Sequence, residues 1–263
     1  MSHKVRTTLV LAGLAAVAGV LLLGRPFDPH AADAEPRRAT GEDIDWERPR
    51  FAERRRERHA MVRRSIERRG ISDPAVLDAM RRVPRHEFVR ARDERRAYYD
   101  TALPIGHGQT ISQPYVVAYM TEKLGLKPGD KVLEVGTGSG YQAAVLSELT
   151  PHVWTIEIIP ALAEQAEKRL ERLGYETIAC KTGDGYYGWP EHAPFDAIIV
   201  TCAAGTVPPP LLKQLKPGGR MCIPVGPPGA VQHLVLVTRD DEGELRSRSL
   251  IPVRFVPLRH SDR

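Results

Sequence analysis

Apolar positions change their spacing several times along this chain of 263 residues. An uninterrupted apolar run occupies 9–23. Between 51 and 83 the spacing turns helical, with Met61, Val62 and Ile66, then Val76, Leu77, Met80 and Val83, recurring every three or four positions. Gly70 predicts the end of a first helix, and Ser72-Asp73-Pro74 predicts a cap with proline in the first turn of a second. The stretch 98–114 has no period and is rich in Gly, Pro and small polar residues, so it predicts a loop. A long irregular segment inside a compact domain is usually functional. Helical spacing returns over 114–124 through Val117, Met120 and Leu124. Beyond Lys127-Pro128-Gly129-Asp130 short apolar strands alternate with helices. Strands are predicted over 131–135, 152–157, 177–181, 195–201, 220–225, 232–239 and 248–255. Helices are predicted over 141–149, 161–173 (closed by Gly174) and 211–215. That alternation predicts an α/β class: a doubly wound, Rossmann-like, mostly parallel sheet with helices on both faces, preceded by an N-terminal helical extension.

The same reading divides the chain into 1–34, a targeting segment; 35–50, a polar linker; 51–126, helices and the irregular loop; and 127–263, the alternating core. Lys4 and Arg6 precede the apolar run, and Ala32-Asp33-Ala34 has the small-x-small form of a signal-peptidase site. A cleaved signal peptide leading to the periplasm is one expectation, and an uncleaved membrane anchor through 7–23 is the other. A cytoplasmic chain is the alternative to both.

Composition changes this picture little: 42% apolar and 27% charged residues suit a globular domain with a core. The net charge is +5, and the basic excess is concentrated between Arg48 and Arg96, as in Arg54-Arg55-Arg56 and Arg63-Arg64. Such a block attracts nucleic acid, a membrane surface or an acidic substrate. Interspersed Glu53, Glu57 and Glu67 favour the plainer reading of a solvated face of amphipathic helices. Cys180, Cys202 and Cys222 form no CxxC pair and have no histidine at metal-ligand spacing, so neither a disulfide framework nor a metal site is expected.

The strongest chemical signal is Glu134-Val135-Gly136-Thr137-Gly138-Ser139-Gly140 at a predicted strand-to-helix turn. Glycines there let the backbone turn tightly and approach a ligand, and the next helix presents free N–H groups. Alone, such a turn is common to several nucleotide-binding folds. Three acids sharpen it, one with each of three successive strands: Glu134 just before the turn, Glu157 where such folds hydrogen-bond ribose hydroxyls, and Asp184 in Gly183-Asp184-Gly185, placed to receive an adenine amino group. The spacing GxGxG, with a carboxylate that would repel a pyrophosphate, suits the cationic S-adenosylmethionine better than NAD.

With these residues in view, the chain resembles the protein-L-isoaspartate (D-aspartate) O-methyltransferase family from about 61 to 258. The resemblance is carried by Val83-Pro84-Arg85-His86-Glu87-Phe88-Val89, by Leu103 through Pro114, by the glycine turn, by Gly183-Asp184-Gly185, by Phe195-Asp196-Ala197-Ile198 and by Val253-Arg254-Phe255-Val256-Pro257-Leu258. Its Thr110-Ile111-Ser112-Gln113-Pro114 element is specific to that family. Two positions depart from the family pattern: Thr201-Cys202-Ala203-Ala204 replaces Thr-Ala-Ala-Ala, and Arg90 stands where the family prefers proline.

The resemblance implies an S-adenosylmethionine-dependent methyltransferase acting on the free α-carboxylate of L-isoaspartyl and D-aspartyl residues in damaged proteins and peptides. It implies Ser112 as the active-site residue. It implies Glu134, Gly136, Thr137, Gly138, Gly140, Glu157, Asp184 and Gly185 around the methyl donor, and Ile105, Gly106, His107, Gln109, Thr110, Ile111 and Val225 around the substrate. No metal and no nucleic-acid partner is expected, and the chain is expected to be a monomer. Because the acceptor carboxylate is already ionised at neutral pH, catalysis needs positioning rather than a base. Ser112 is therefore expected to aim the carboxylate by a hydrogen bond, and His107 to serve the loop's structure. Two rival readings are a nucleic-acid methyltransferase and a non-catalytic membrane-tethered binding module. The first lacks the Asn/Asp-Pro-Pro-aromatic element or the Pro-Cys nucleophile after the fourth strand of the core.

Overall fold

The computed structural model describes residues 48–260. The expected targeting segment and all but the last three residues of the expected linker lie outside the described residues.

The helical extension begins with α1 (Arg55–Met61), which continues as a π turn, Val62–Ile66, and a 3-10 turn, Glu67–Arg69. Gly70 stops it with φ 91, a conformation glycine adopts without a side-chain clash. In α2 (Pro74–Arg82) the Asp73 carboxylate accepts hydrogen bonds from the N–H groups of Ala75 (2.8 Å) and Val76 (3.3 Å), as the sequence predicts. The arginine-rich block is not wholly a solvated face. Arg58 and Arg85 are buried, because their guanidinium groups tie chain segments together: Arg58 donates to the carbonyls of Phe51 (2.8 Å) and Glu53 (3.0 Å), and Arg85 to that of Ala97 (2.9 Å).

The stretch predicted as a loop contains a hairpin instead. β1 (Leu103–Gly106) pairs antiparallel with β2 (Gln109–Ile111), placing Leu103 opposite Ile111, both buried. Strands of four and three residues are too short to show a period, and the turn between them uses positive φ at Gly106 (109), His107 (50) and Gly108 (71). α3 (Pro114–Leu124) follows at once, closed by Gly125 at φ 61.

The core is a seven-stranded sheet in the order β5-β4-β3-β6-β7-β8-β9. Its strands are β3 (Val132–Val135), β4 (Val153–Glu157), β5 (Ile178–Thr182), β6 (Phe195–Val200), β7 (Leu215–Val225), β8 (Gln232–Arg239) and β9 (Leu245–Val253). The pairs from β5 to β7 are parallel, and β8 and β9 complete an antiparallel edge. α4 (Tyr141–Ser147) and α5 (Pro160–Arg172) connect β3, β4 and β5, and α6 (Pro209–Gln214) precedes β7. β7 starts five residues earlier than its apolar pattern predicts; its register shifts between Phe195↔Leu215 and Ala197↔Arg220, a stretch that contains Gly218-Gly219.

Alternate residues of β3 serve opposite faces. Val132 joins the cluster under α2, α3 and α4, whereas Leu133 and Val135 join Trp154, Ile198 and Leu211 on the other side. Glu134 shares the parity of Val132, so this carboxylate sits on a face lined by Val153, Ala197 and Ile199, with Thr155 opposite it. The chain reverses its direction of travel across the sheet between β3 and β6. There the carboxyl ends of the strands leave a crevice, as in doubly wound sheets generally.

Candidate active site

The loop after β3 forms one wall of that crevice. Gly136, Gly138 and Gly140 have φ of 98, 55 and 86. A Cβ on Gly136 would stand 2.6 Å from the Thr201 hydroxyl, so backbone must pass there without a side chain. Thr201, after β6, donates to the Gly136 carbonyl (2.6 Å) and locks the two loops together.

Glu134 is fully buried. Its register partner Thr155 donates to Oε2 at 2.6 Å, and Thr137 lies 2.6 Å from the Thr155 hydroxyl. Each hydroxyl has one proton, so a chain Thr137 to Thr155 to the Glu134 carboxylate accounts for both contacts. Oε1 of Glu134 is buried with no hydrogen-bond partner. Burial, chiefly, pushes its pKa up to about 8, with Thr155 pulling the other way and Glu157 adding to the rise. A cation entering the crevice would supply what this carboxyl lacks.

Glu157 ends β4 with both oxygens aimed at the loop ends: Oε2 accepts from Gly138 N–H (2.8 Å) and Oε1 from Ile159 N–H (3.0 Å). Asp184 accepts from Tyr186 N–H (2.9 Å), and its Oδ2 lies 2.6 Å from Nδ1 of His260, whose ring packs 4.6 Å from that of Tyr186. Cys202 sits beside Gly136; burial and the two glutamates raise its thiol pKa, so it stays protonated and serves as an apolar wall.

The crevice, open to solvent, spans about 730 Å³ and is lined by Glu134, Gly136, Thr137, Gly138, Glu157 and Gly185, together with Gln109, Thr110, Ile111 and Ser112 from the hairpin side. A second cleft of about 1020 Å³ lies between the hairpin's base and the end of β9, lined by Asp100, Gln113, Val116, Val231, Arg254 and Phe255 among others. Thr110, Ser112, Thr201 and Val256 line both. Ser112 therefore stands where the two cavities meet. Its hydroxyl has no hydrogen-bond partner among the described residues.

Other expected site residues lie elsewhere. Ile105, Gly106 and His107 line a third cleft, of about 570 Å³, with Arg90, Gln165 and Arg169. Ile105 also closes on the glycine wall, since a Cβ on Gly138 would lie 3.4 Å from its Cδ1. Gly140 starts α4 outside the crevice, and Val225 bridges to Ala204 without lining any of the three clefts.

Several residues of the site were not singled out by sequence. Thr155 and Thr201 have their roles only through pairing across the sheet. Asp100 accepts from Tyr115 N–H (2.9 Å) and Gln113 Nε2 (2.8 Å), fixing the backbone on either side of Pro114. Its place in Ala97-Tyr98-Tyr99-Asp100 shortly before the hairpin was the only available signal. No group of acidic, histidine or cysteine side chains able to hold a metal occurs among the described residues.

The sequence profile of the protein-L-isoaspartate(D-aspartate) O-methyltransferase family matches residues 56–263. A protein-L-isoaspartate O-methyltransferase of Syntrophobacter fumaroxidans is 59% identical over 199 residues, spanning 75% of this chain and 81% of the relative. One from Nitrosospira multiformis is 58% identical over 204 residues, spanning 77% and 86%. Among solved structures, a protein-L-isoaspartate O-methyltransferase is similar with a TM-score of 0.68 at 32% identity, over 77% of this chain and 65% of that one. A Plasmodium falciparum relative crystallised with S-adenosyl-L-homocysteine is similar with a TM-score of 0.67 at 27% identity, over 77% and 98%.

Proposed function

The chain belongs to the protein-L-isoaspartate (D-aspartate) O-methyltransferase family, and on that premise we propose how its two joined cavities divide the work of methyl transfer. The protein is an S-adenosylmethionine-dependent methyltransferase that esterifies the free α-carboxylate of isoaspartyl residues in proteins and peptides.

The residues around the crevice suit that donor. Glu134 offers a buried, unpartnered carboxyl oxygen to a cationic amino-acid moiety, Glu157 offers acceptors to hydroxyl groups, and Asp184, outside the crevice lining but next to Gly185 that lines it, offers an acceptor to an amino group. The glycines leave the wall bare enough for close approach. When bound, S-adenosylmethionine supplies an electrophilic methyl group.

On the other side, the second cleft takes the peptide. An isoaspartyl α-carboxylate with a pKa near 3.5 is ionised at neutral pH and needs no deprotonation. The task left to the protein is orientation. Ser112, half-buried between the cavities with its hydroxyl uncommitted, donates a hydrogen bond that aims one carboxylate oxygen toward the donor crevice. His107 is exposed at the hairpin tip, against the third cleft, and takes no part. After release, the following backbone amide nitrogen attacks the ester carbonyl, expels methanol and closes a succinimide without further help.

The observation that carries this reading is the sharing of Thr110, Ser112, Thr201 and Val256 by the two clefts. The test is methyl incorporation into an isoaspartyl peptide and its aspartyl twin. Only the first should be labelled, and Ser112→Ala should slow labelling without weakening donor binding. Equal labelling of the twins would refute the substrate assignment, and an undiminished mutant would refute the serine's role.

We also propose that the segment before residue 48 brings this domain to the cell envelope, through the apolar run at 9–23 between Lys4-Arg6 and Arg25. Recovery of the full-length, uncleaved chain in the soluble fraction of lysed cells would exclude this.

A further inference from the structure

The mechanism leaves unused the arginine block and the groove it builds. Between Arg48 and Arg96 the sequence has 17 arginines against 8 acidic residues, while the remainder has 21 basic and 25 acidic residues. Many of these arginines have carboxylate partners: Arg54 with Glu57, Arg69 with Asp100, Arg81 with Glu67, Arg82 with Asp78. Others do not. Arg50, Arg55, Arg56, Arg63 and Arg64 are exposed and have no ion pair among the described residues. Arg58 is buried, and its donors go to backbone carbonyls rather than to any carboxylate.

Of these, Arg50, Arg55 and the buried Arg58 line an open groove of about 1240 Å³ formed by Pro49–Ala52, by α1 through Arg55, Arg58 and His59, and by α2 through Asp78, Arg81 and Arg82. Its one acidic lining residue, Asp78, is already paired with Arg82 at 2.6 Å. The local field is positive enough that Arg55, Arg58 and Arg81 add to burial in lowering the pKa of His59.

The groove's position says more. Arg48 donates to the Glu148 carbonyl at the end of α4 (3.2 Å), Pro49 packs against Gly174 at the end of α5, and Phe51 lies 6.3 Å from Tyr175. α4 and α5 return antiparallel to the strands, so their C-terminal ends lie at the end of the sheet opposite the methyl-transfer crevice. The chain therefore enters the domain on the far side from the active site, at the arginine groove.

We infer that this groove docks on the anionic headgroups of a phospholipid bilayer and turns the active-site crevice away from it, toward peptide substrates. The inference rests on the reading of 9–23 as a bilayer-directed segment. Only 25 residues lie between Leu23 and Pro49, a span that at full extension reaches at most about 90 Å. A tether that short holds the groove at high local concentration over the lipid surface. Clusters of four to eight basic residues beside a membrane-directed segment suit anionic lipid, each contributing roughly fivefold to partitioning.

The full-length protein should be tested by flotation with vesicles of phosphatidylcholine alone and with about one-third phosphatidylglycerol, at about 0.15 M salt, where surface charges act over roughly 8 Å. Binding should be stronger to the anionic vesicles. The variant Arg50→Gln with Arg55→Gln should lose on the order of 25-fold of that preference and keep its methylation of a soluble isoaspartyl peptide. Arg246→Gln with Arg248→Gln, on the exposed edge strand β9, should change little. Binding to neither vesicle would sink the anchoring reading, and this inference with it. Equal binding to both vesicles, an unaltered Arg50→Gln, Arg55→Gln variant, or a preference for RNA over anionic vesicles would each overturn the groove's role while leaving the anchor standing.

Discussion

The two walls of the crevice are made in different ways. The wall assigned above to the donor is the end of a parallel sheet: β3, β4 and β6 are buried along nearly their whole length, and the loops leaving them are cross-tied by Thr201 to Gly136 and by Glu157 to Gly138. The wall assigned above to the acceptor is a hairpin of seven strand residues, held by three register pairs and by Asp100 at its base. A rigid wall suits one invariant ligand. A small hairpin beside an open cleft suits a substrate whose side chains vary, because it can grip backbone while the rest of the peptide remains in solvent. Substitutions on the first wall should therefore act on donor affinity and stability, and those on the second on use of the peptide.

The sharpest break on the donor side is Gly136→Val. The new side chain meets the Thr201 hydroxyl at a backbone φ of 98 that β-branched residues avoid. Donor affinity should fall by at least about 100-fold, and the melting temperature should drop with a loss of roughly 2–3 kcal/mol. Equilibrium dialysis and thermal unfolding read the two effects. If affinity survives, the wall is softer than its bonds imply.

On the acceptor side the corresponding change is Ser112→Ala. A hydrogen bond to a charged group contributes about 1.5–3 kcal/mol, so kcat/KM for an isoaspartyl peptide should fall roughly 10- to 150-fold. Donor affinity and melting temperature should stay near the wild-type values. A matching fall in donor affinity would mean that the serine belongs to the other wall.

The contrast also explains what could be read in advance. The places of the glycine turn, Glu157 and Asp184 in the fold were legible because each sits at or just beyond the carboxyl end of a strand that the apolar pattern marks. The role proposed for Ser112 comes only from the family resemblance, since nothing in the spacing of 98–114 distinguishes a hairpin from a loop. Long-range partners were out of reach: Thr155 meets Glu134 across parallel strands 21 residues apart in sequence, and Thr201 meets Gly136 across 65. The burial of Arg58 and Arg85 was equally hidden, because charge patterning cannot reveal which guanidinium finds backbone carbonyls.

Glu134 sharpens the donor side through pH. Its carboxyl, with a folded pKa of about 8 against an ordinary 4.5, is mostly neutral at pH 7 when the crevice is empty. A cationic ligand favours the charged form, so binding near pH 7 should release close to one proton and affinity should rise about tenfold between pH 7 and 9. For stability the sign is opposite. The unfolded chain holds fewer protons on this group above pH 4.5, so empty protein loses stability as pH rises from about 4.5 to 8. Glu134→Gln should abolish both dependences, and calorimetry in two buffers of different ionisation enthalpy counts the proton. Equal proton release by wild type and variant would place the titration on the ligand instead.

The smallest effect should come from Asp100→Asn, which probes the hairpin's base without touching its strands. The carboxylate accepts from Tyr115 N–H and Gln113 Nε2 and pairs with Arg69 at 2.9 Å, while the Arg69 guanidinium also lies over the Tyr115 ring. An amide of the same size has one acceptor oxygen and cannot serve all three donors. The backbone around Ser112-Gln113-Pro114 should loosen, costing about 1 kcal/mol of stability given that Arg69 is half-exposed. Because the hydroxyl of Ser112 is kept, the loss should appear as a roughly three- to fivefold rise in KM for the isoaspartyl peptide, with kcat and donor affinity nearly unchanged. A fall in kcat instead would mean that Asp100 fixes the serine in the transition state rather than the shape of the cleft that receives the peptide.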